Sequence, residues 1–176
     1  AELAPLLGSD GCFNKLALRS TRLSGGLRSA IFRELSAQIE KVKALRVPVS
    51  HFDSHHHIHT VPALFGVLKQ LQRRFRVSKV RLSMNLYSTP PSLMLRAIKV
   101  LWNTALRNFC QTATTEAFTS LALFGENAGR FSHPPCSIEL MCHPGAAKCQ
   151  AETQLLQSDL WSKLPFTFQL ISYNQL

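Results

Sequence analysis

The sequence contains no long apolar stretch, no paired-cysteine motif and only 10 acidic residues among 176. Its longest uncharged apolar stretches, such as residues 61–68, are shorter than the about 20 residues that a membrane-spanning helix needs. The five cysteines form no Cys-x-x-Cys pair, which argues against a disulfide framework or a zinc ribbon. The first residues show no basic segment followed by a long apolar one. We therefore expect no membrane span, a reducing compartment and a cytoplasmic location.

The motifs of several common enzyme classes are also missing. The sequence has no Gly-x-Ser-x-Gly elbow, no Walker loop and no Gly-x-Gly-x-x-Gly fingerprint. Because these motifs position a serine nucleophile or cradle a phosphate, their absence argues against serine esterases and the common nucleotide-binding proteins.

Positive charge exceeds negative charge, since 20 lysines and arginines give a formal net charge of +10. This excess raises nucleic-acid binding as a hypothesis, because clustered cations neutralise phosphates. The densest cluster, residues 73–76, lies at the end of a predicted helix, where cations complement the helix dipole. No zinc-finger spacing or RNA-binding motif accompanies it. We therefore expect no nucleic-acid partner.

Apolar residues recur with alternating helical and strand periods along a chain whose length suits one domain, residues 1–176. The pattern predicts helices at 27–45, 63–74, 93–109 and 152–164, and strands at 46–53, 77–84, 117–124, 136–142 and 166–173. Such alternation implies an α/β fold with βα units and a largely parallel sheet. The pattern alone leaves a barrel and an open sheet equally open, and five strands are fewer than the eight of a closed barrel.

Four histidines and an aspartate crowd the end of the strand predicted at 46–53. In extended backbone, Asp53, His55, His57 and His59 would point to one face of the strand. Imidazole and carboxylate ligands suit Zn, Ni, Co, Fe, Mg or Mn, but adjacent strand residues rarely supply a whole site. The alternative is a polar network or a surface histidine run. The position at a strand's carboxyl end favours a functional site.

Two further residues end predicted strands. His143 follows an apolar strand and precedes a Pro-Gly turn, and a parallel sheet would bring it to the same rim as His55. There it could act as a general acid, with Glu139 as a buried partner. Arg81 could hold substrate hydroxyls or could form a salt bridge, and the sequence favours neither.

Two segments resemble one known family. Residues 49–62 read Val-Ser-His-Phe-Asp-Ser-His-His-His-Ile-His-Thr-Val-Pro, similar to the Thr-His-x-Asp-Ser-His-x-His-Val-His-x-x-Pro signature of YdjC-like carbohydrate deacetylases. Residues 139–144 resemble that family's Glu-x-Met-x-His-Pro strand end. The resemblance implies a distorted TIM-like (β/α) barrel. It also implies a hydrolase that uses a divalent metal, Mg or Zn, to remove acetyl groups from N-acetylated oligosaccharides.

The resemblance also assigns one metal ligand, His55, the first histidine of the triple run. From their own positions we add Asp53, His57 and His59 as weaker metal candidates, and we expect His143 to be the catalytic residue and Arg81 a substrate contact.

In that family the other two ligands come from an Asp-Asp-Phe-Gly motif and a Gly-x-His strand, and neither occurs before position 51. We therefore expect an incomplete barrel that lacks its N-terminal strands, with weak metal binding and little activity. The alternative is a shortened, non-catalytic homologue that binds a saccharide or a protein. An unpaired sheet edge would also favour homo-oligomers.

Overall fold

The computed structural model describes residues 2–20, 22–89, 91–130 and 133–176. The chain divides into two compact units. The first unit comprises Ala1–Val80 with Thr104–Ala113, and the second comprises Arg81–Asn103 with Thr114–Leu176. The helices are α1 (Lys15–Ser20), α2 (Gly25–Ala44), α3 (Phe65–Phe75), α4 (Leu93–Asn108), α5 (Leu121–Asn127) and α6 (Gln150–Gln157), and the strands are β1 (Ala117–Ser120) and β2 (Ile138–Met141).

The first unit is built around the packing of α2 against α3. The Oγ of Ser24 caps α2 by accepting the N–H of Leu27 at 3.2 Å. A short 3-10 turn that starts at Pro62 leads into α3, and Arg76, with φ of 56°, ends it in the left-handed conformation. The predicted helices at 27–45 and 63–74 are therefore confirmed with bounds shifted by a few residues.

A buried lysine joins α3 by hydrogen bonds to the end of α4 and to the segment that follows it in the first unit. The Nζ of Lys69 donates to four oxygens at 2.8–2.9 Å, which belong to Gln72, Leu106, Phe109 and Thr112. Lys69 is only 5% exposed, and this burial lowers the pKa of its ammonium from 10.5 to about 8. The ammonium thus donates to carbonyls at and just beyond the C-terminal end of α4, the place where the last carbonyls of a helix need donors from outside it.

We expect Lys69→Met to lower the free energy of unfolding by about 1–3 kcal/mol at pH 7, because it leaves buried oxygens without a donor. The difference from the parent should grow between pH 8 and pH 10.5, where the unfolded lysine still binds a proton that the folded one has released. Urea denaturation at pH 7 and pH 9.5 measures both effects. Lys41→Met, on the exposed face of α2, is the matched control, and equal losses in the two variants would contradict this role of Lys69.

Among the described residues of the first unit, parallel pairing is limited to isolated bridges. Phe52 pairs with Val80 and Lys79 pairs with Ala113, both in parallel. The parallel pairing expected for the segments 46–53 and 77–84 is therefore confirmed at single residue pairs, but the full strands predicted there are wrong. In the first segment, Pro48 has no N–H to donate to a neighbouring strand. In the second, the backbone of Ser83 forms hydrogen bonds with the side chain of Asn103 instead of with a strand.

The second unit contains a two-stranded parallel sheet, in which β1 and β2 pair from Ala117 with Ile138 to Ser120 with Met141. The strand predicted at 117–124 is wrong beyond Ser120, because the Ser120 Oγ accepts the N–H of Leu123 and starts α5. The strand predicted at 136–142 is confirmed as β2, although its side chains are only half-buried.

The C-terminal segment departs further from the sequence pattern. Helix α6 ends at Gln157, and a 3-10 turn, Asp159–Lys163, takes the place of the last part of the helix predicted at 152–164. The strand predicted at 166–173 is wrong, since no strand forms there and most of its side chains are exposed.

The protein is thus mixed α/β with a short parallel sheet, as the alternation indicated, and the described residues form no complete barrel. No described helix combines the length and the apolar character needed to cross a membrane.

Candidate functional site

The histidine-rich segment lies in the first unit and is helical rather than extended. His55–Thr60 forms two 3-10 turns joined at a kink, where His56 and His57 have φ of 54° and 55°. The prediction that Asp53, His55, His57 and His59 share one face of a strand is therefore wrong, because alternation holds only in extended backbone. Left-handed conformations of non-glycine residues cost about 1 kcal/mol or more each and cluster at functional sites.

Ser54 fixes the shape of these turns. Its Oγ accepts the backbone N–H of His59 at 2.9 Å and lies 2.7 Å from the Nδ1 of the same residue. The hydroxyl of Thr60 donates to the carbonyl of His57 at 2.8 Å. His59 is buried, and its Nδ1 serves the turn.

We expect Ser54→Ala to reduce the free energy of unfolding by about 1–2 kcal/mol, because two groups of His59 lose their buried partner. The imidazole ¹⁵N resonances of His59 should shift as well. Denaturation in urea and NMR of the histidine rings measure these effects. Ser78→Ala, an exposed serine of the same unit, should change neither, and an unperturbed His59 in Ser54→Ala would refute the anchoring role.

His55 and His56 are the exposed histidines of this segment, so their rings are the accessible candidates for a ligand. His55 and His56 are both exposed, with ring centroids 3.9 Å apart, whereas His57 is half-buried and lies 6.3 Å from His59. Within the described ranges, this segment brings no three ligand atoms within 4.8 Å of one another. Imidazole chemistry therefore fits a metal site, but a full ligand set does not converge here.

The histidine segment borders a cavity of about 820 Å³ in the first unit. Side chains of α2 such as Leu35 and Ile39 and of α3 such as Leu71 form apolar walls, while Asp53 and His55 add polar groups. A cavity of this size that combines apolar walls with polar groups along one side is compatible with a small-molecule site.

Arg81 lies in the second unit within a mostly buried ion pair. Its Nε is 2.6 Å from Oε1 of Glu139, and the two side chains are 14% and 11% exposed. The hydroxyl of Tyr173 donates to Oε2 of Glu139, and burial together with this hydrogen bond raises the pKa of Tyr173 well above its usual value. The guanidinium also lies 5.0 Å from the ring centre of Phe118. Of the two readings of Arg81, the structure favours the salt bridge, and its partner is Glu139. Sequence reasoning had considered Glu139 only beside His143, and substrate contact by Arg81 stays a prediction.

His143 lies just after β2, in the second unit, and is half-exposed. Its backbone N–H donates to Oε2 of Glu152 at 2.6 Å, and its Nδ1 lies 3.3 Å from the same oxygen. The turn that follows needs a glycine, because Gly145 has φ of 79°, and the N–H of Gly145 donates to Thr153 at 3.1 Å. The first turn of α6 therefore holds both the backbone and the ring of His143.

Sequence reasoning missed Glu152 as a partner of His143 and gave no role to Cys149. The only signal for Glu152 was a carboxylate in the first turn of a predicted helix. Because His55 belongs to the first unit and His143 to the second, their expected meeting at one rim stays a prediction.

A sequence profile of the family described as YdjC-like protein matches residues 1–164. A carbohydrate deacetylase of Geobacillus stearothermophilus is 38% identical over 77 residues, which cover 44% of this chain and 30% of that protein. One of Vibrio campbellii is 44% identical over 48 residues, covering 27% and 19%. Carbohydrate deacetylase 1 of Listeria innocua is 36% identical over 80 residues, covering 43% and 31%. The matches thus span less than a third of each relative, and no solved structure matches.

Proposed function

The chain belongs to the YdjC-like family, and on that premise we propose that it acts as a metal-dependent carbohydrate deacetylase on N-acetylated saccharides. The strained histidine segment gives this proposal its main support, because it presents exposed imidazoles beside a cavity large enough for a small ligand. The three relatives named above are carbohydrate deacetylases, and their names support the same reaction. We also propose that the family fold to which this chain belongs is a distorted (β/α) barrel, and the parallel pairings found within each unit support that fold.

His55 is the residue of the segment that would hold the divalent ion, magnesium or zinc. Such an ion would supply Lewis acidity to the amide carbonyl and an activated water nucleophile. Two neighbours are weaker candidates for the same ion, since Nδ1 of His59 is engaged by Ser54 and His57 is half-buried. Asp53 is exposed and borders the same cavity, so its carboxylate remains a candidate. We propose His55 as one ligand of a larger set and expect binding by this chain to be weak.

His143 would act as the general acid that donates a proton to the departing amine of the sugar. Glu152 contacts Nδ1 of the ring, so Nε2 is the atom that we assign to proton delivery. This arrangement makes Glu152 a positioning residue, since it fixes the ring without touching the substrate. Arg81 would stabilise β2 by its ion pair with Glu139, which also accepts the hydroxyl of Tyr173. A direct contact of Arg81 with the substrate is the weaker alternative.

Release of acetate from an N-acetylated chitooligosaccharide tests the proposal. We expect slow release that needs added Mg²⁺ or Zn²⁺ and stops when a chelator is added, because His55 alone does not complete a site. The same sugar without acetyl groups serves as the blank. Release that is unaffected by chelation would contradict metal dependence. Saccharide binding in a calorimeter with no acetate release at any metal concentration would contradict catalysis and favour the binding-module alternative.

A further inference from the structure

Three side chains of different chemistry meet where β2 passes into α6. His143 follows the strand, Cys149 is the N-cap residue of α6, and Glu152 lies in the first turn of that helix. One ligand atom from each lies within 4.8 Å of the other two. We propose that His143, Cys149 and Glu152 form a binding site for a zinc-class divalent cation, a role that does not depend on the deacetylase function.

The spacing of the imidazole and the carboxylate fits a tetrahedral ion. Nδ1 of His143 and Oε2 of Glu152 are 3.3 Å apart. Two ligands bound at about 2.1 Å in tetrahedral geometry lie about 3.4 Å from each other. The thiol needs to approach by only about 1 Å to complete the triangle, since zinc–sulfur bonds are about 2.3 Å long. A rotation of the Cys149 side chain supplies a movement of that size.

The donor set selects the class of ion. Thiolate and imidazole are ligands of zinc and cobalt, whereas magnesium prefers oxygen ligands alone. Three protein ligands leave a fourth position for water, and His143 is 54% exposed, so solvent can reach it. The site is therefore chemically unlike the His55 segment, which contributes imidazoles and a carboxylate.

The backbone that carries the three ligands is already tied down. The N–H of His143 donates to Glu152, that of Gly145 donates to Thr153, and that of Cys149 donates to the carbonyl of Ala146 at 2.8 Å. A carboxylate has about four lone-pair positions, so Glu152 can keep the backbone contact and still bind a cation. Because these backbone groups are held in place before an ion binds, binding costs little additional conformational entropy.

The simpler reading is that Glu152 only caps the turn after β2. It explains the two contacts to His143, but it gives no reason for the thiol of Cys149 to lie beside them. The two readings differ in one property, because only a cation site puts a thiolate on the metal.

Titration of the full chain with Co²⁺ distinguishes the readings. We expect a near-ultraviolet thiolate-to-cobalt absorption band that saturates at one equivalent and is displaced by Zn²⁺. Cys149→Ser should abolish the band. Glu152→Gln, which keeps an acceptor for the His143 N–H, should weaken cobalt binding at least tenfold, since even outer contacts of metal sites are worth 10–100-fold.

Two other cysteines provide matched controls. Cys136→Ser removes an exposed thiol near β2, and Cys12→Ser removes the thiol that borders the His55 cavity. Both variants should keep the band. Absence of any thiolate band in the parent, or its loss in Cys12→Ser but not in Cys149→Ser, would overturn the proposal. Circular dichroism of each variant separates loss of the site from loss of the fold.

Discussion

Replacing His143 by alanine should lower the rate of acetate release from an N-acetylated saccharide by about 10²–10⁴-fold, the usual range for loss of a general acid. The departing amine would then leave without a proton donor. Because the change acts on the chemical step, kcat should fall while KM changes little. Steady-state kinetics with saturating Mg²⁺, which does not favour the thiol-containing site at His143, measures the split.

His133→Ala is the matched control, since His133 is an exposed histidine of the same unit that makes no contribution to the proposed reaction. Glu152→Gln should give an intermediate loss of kcat and a changed pH profile, because it alters the group that holds the ring of His143. An unchanged kcat in His143→Ala would remove this residue from the mechanism.

Replacing Glu139 by alanine should destabilise the second unit by about 3 kcal/mol, the lower end of the range for breaking a buried ion pair. The change leaves the guanidinium of Arg81 in a half-buried position and takes away the acceptor of the Tyr173 hydroxyl. Urea denaturation followed by tryptophan fluorescence measures the loss, since Trp161 packs near Phe124 in this unit.

Glu126→Ala removes an exposed carboxylate from α5 and should cost less than about 0.5 kcal/mol. Glu139→Gln should fall between the two, because the amide still accepts a hydrogen bond but carries no charge. If Glu139→Ala were as mild as Glu126→Ala, the ion pair would have no part in holding β2 to the C-terminal segment.

The helices could be predicted from sequence because their signals are local. The apolar period of α2 and the basic end of α3 lie within single segments, and both helices form where the pattern put them. Strands depend on partners elsewhere in the chain. Ser83 satisfies its backbone with the side chain of Asn103, and Ser120 turns into a helix cap, so two predicted strands stop early or do not form.

In the candidate site, too, local features could be predicted and contacts between distant residues could not. Residue types and their order were enough to single out the histidine segment and the strand end at His143. The left-handed turns at His56 and His57 could not be predicted, because alternation assumes an extended backbone. Cys149 joins His143 and Glu152 only because the turn at Gly145 folds the chain back onto α6. Contacts made by such a turn are not visible in a linear pattern.

A comparison of His55→Asn with His56→Asn tests whether His55 is a metal ligand. Asparagine tolerates the left-handed conformation of residue 56, so the control preserves the turn while removing the neighbouring imidazole. We expect His55→Asn to raise the Mg²⁺ or Zn²⁺ concentration for half-maximal acetate release at least tenfold, and His56→Asn to leave it unchanged. Identical metal dependence in the parent and in His55→Asn would contradict His55 as a metal ligand.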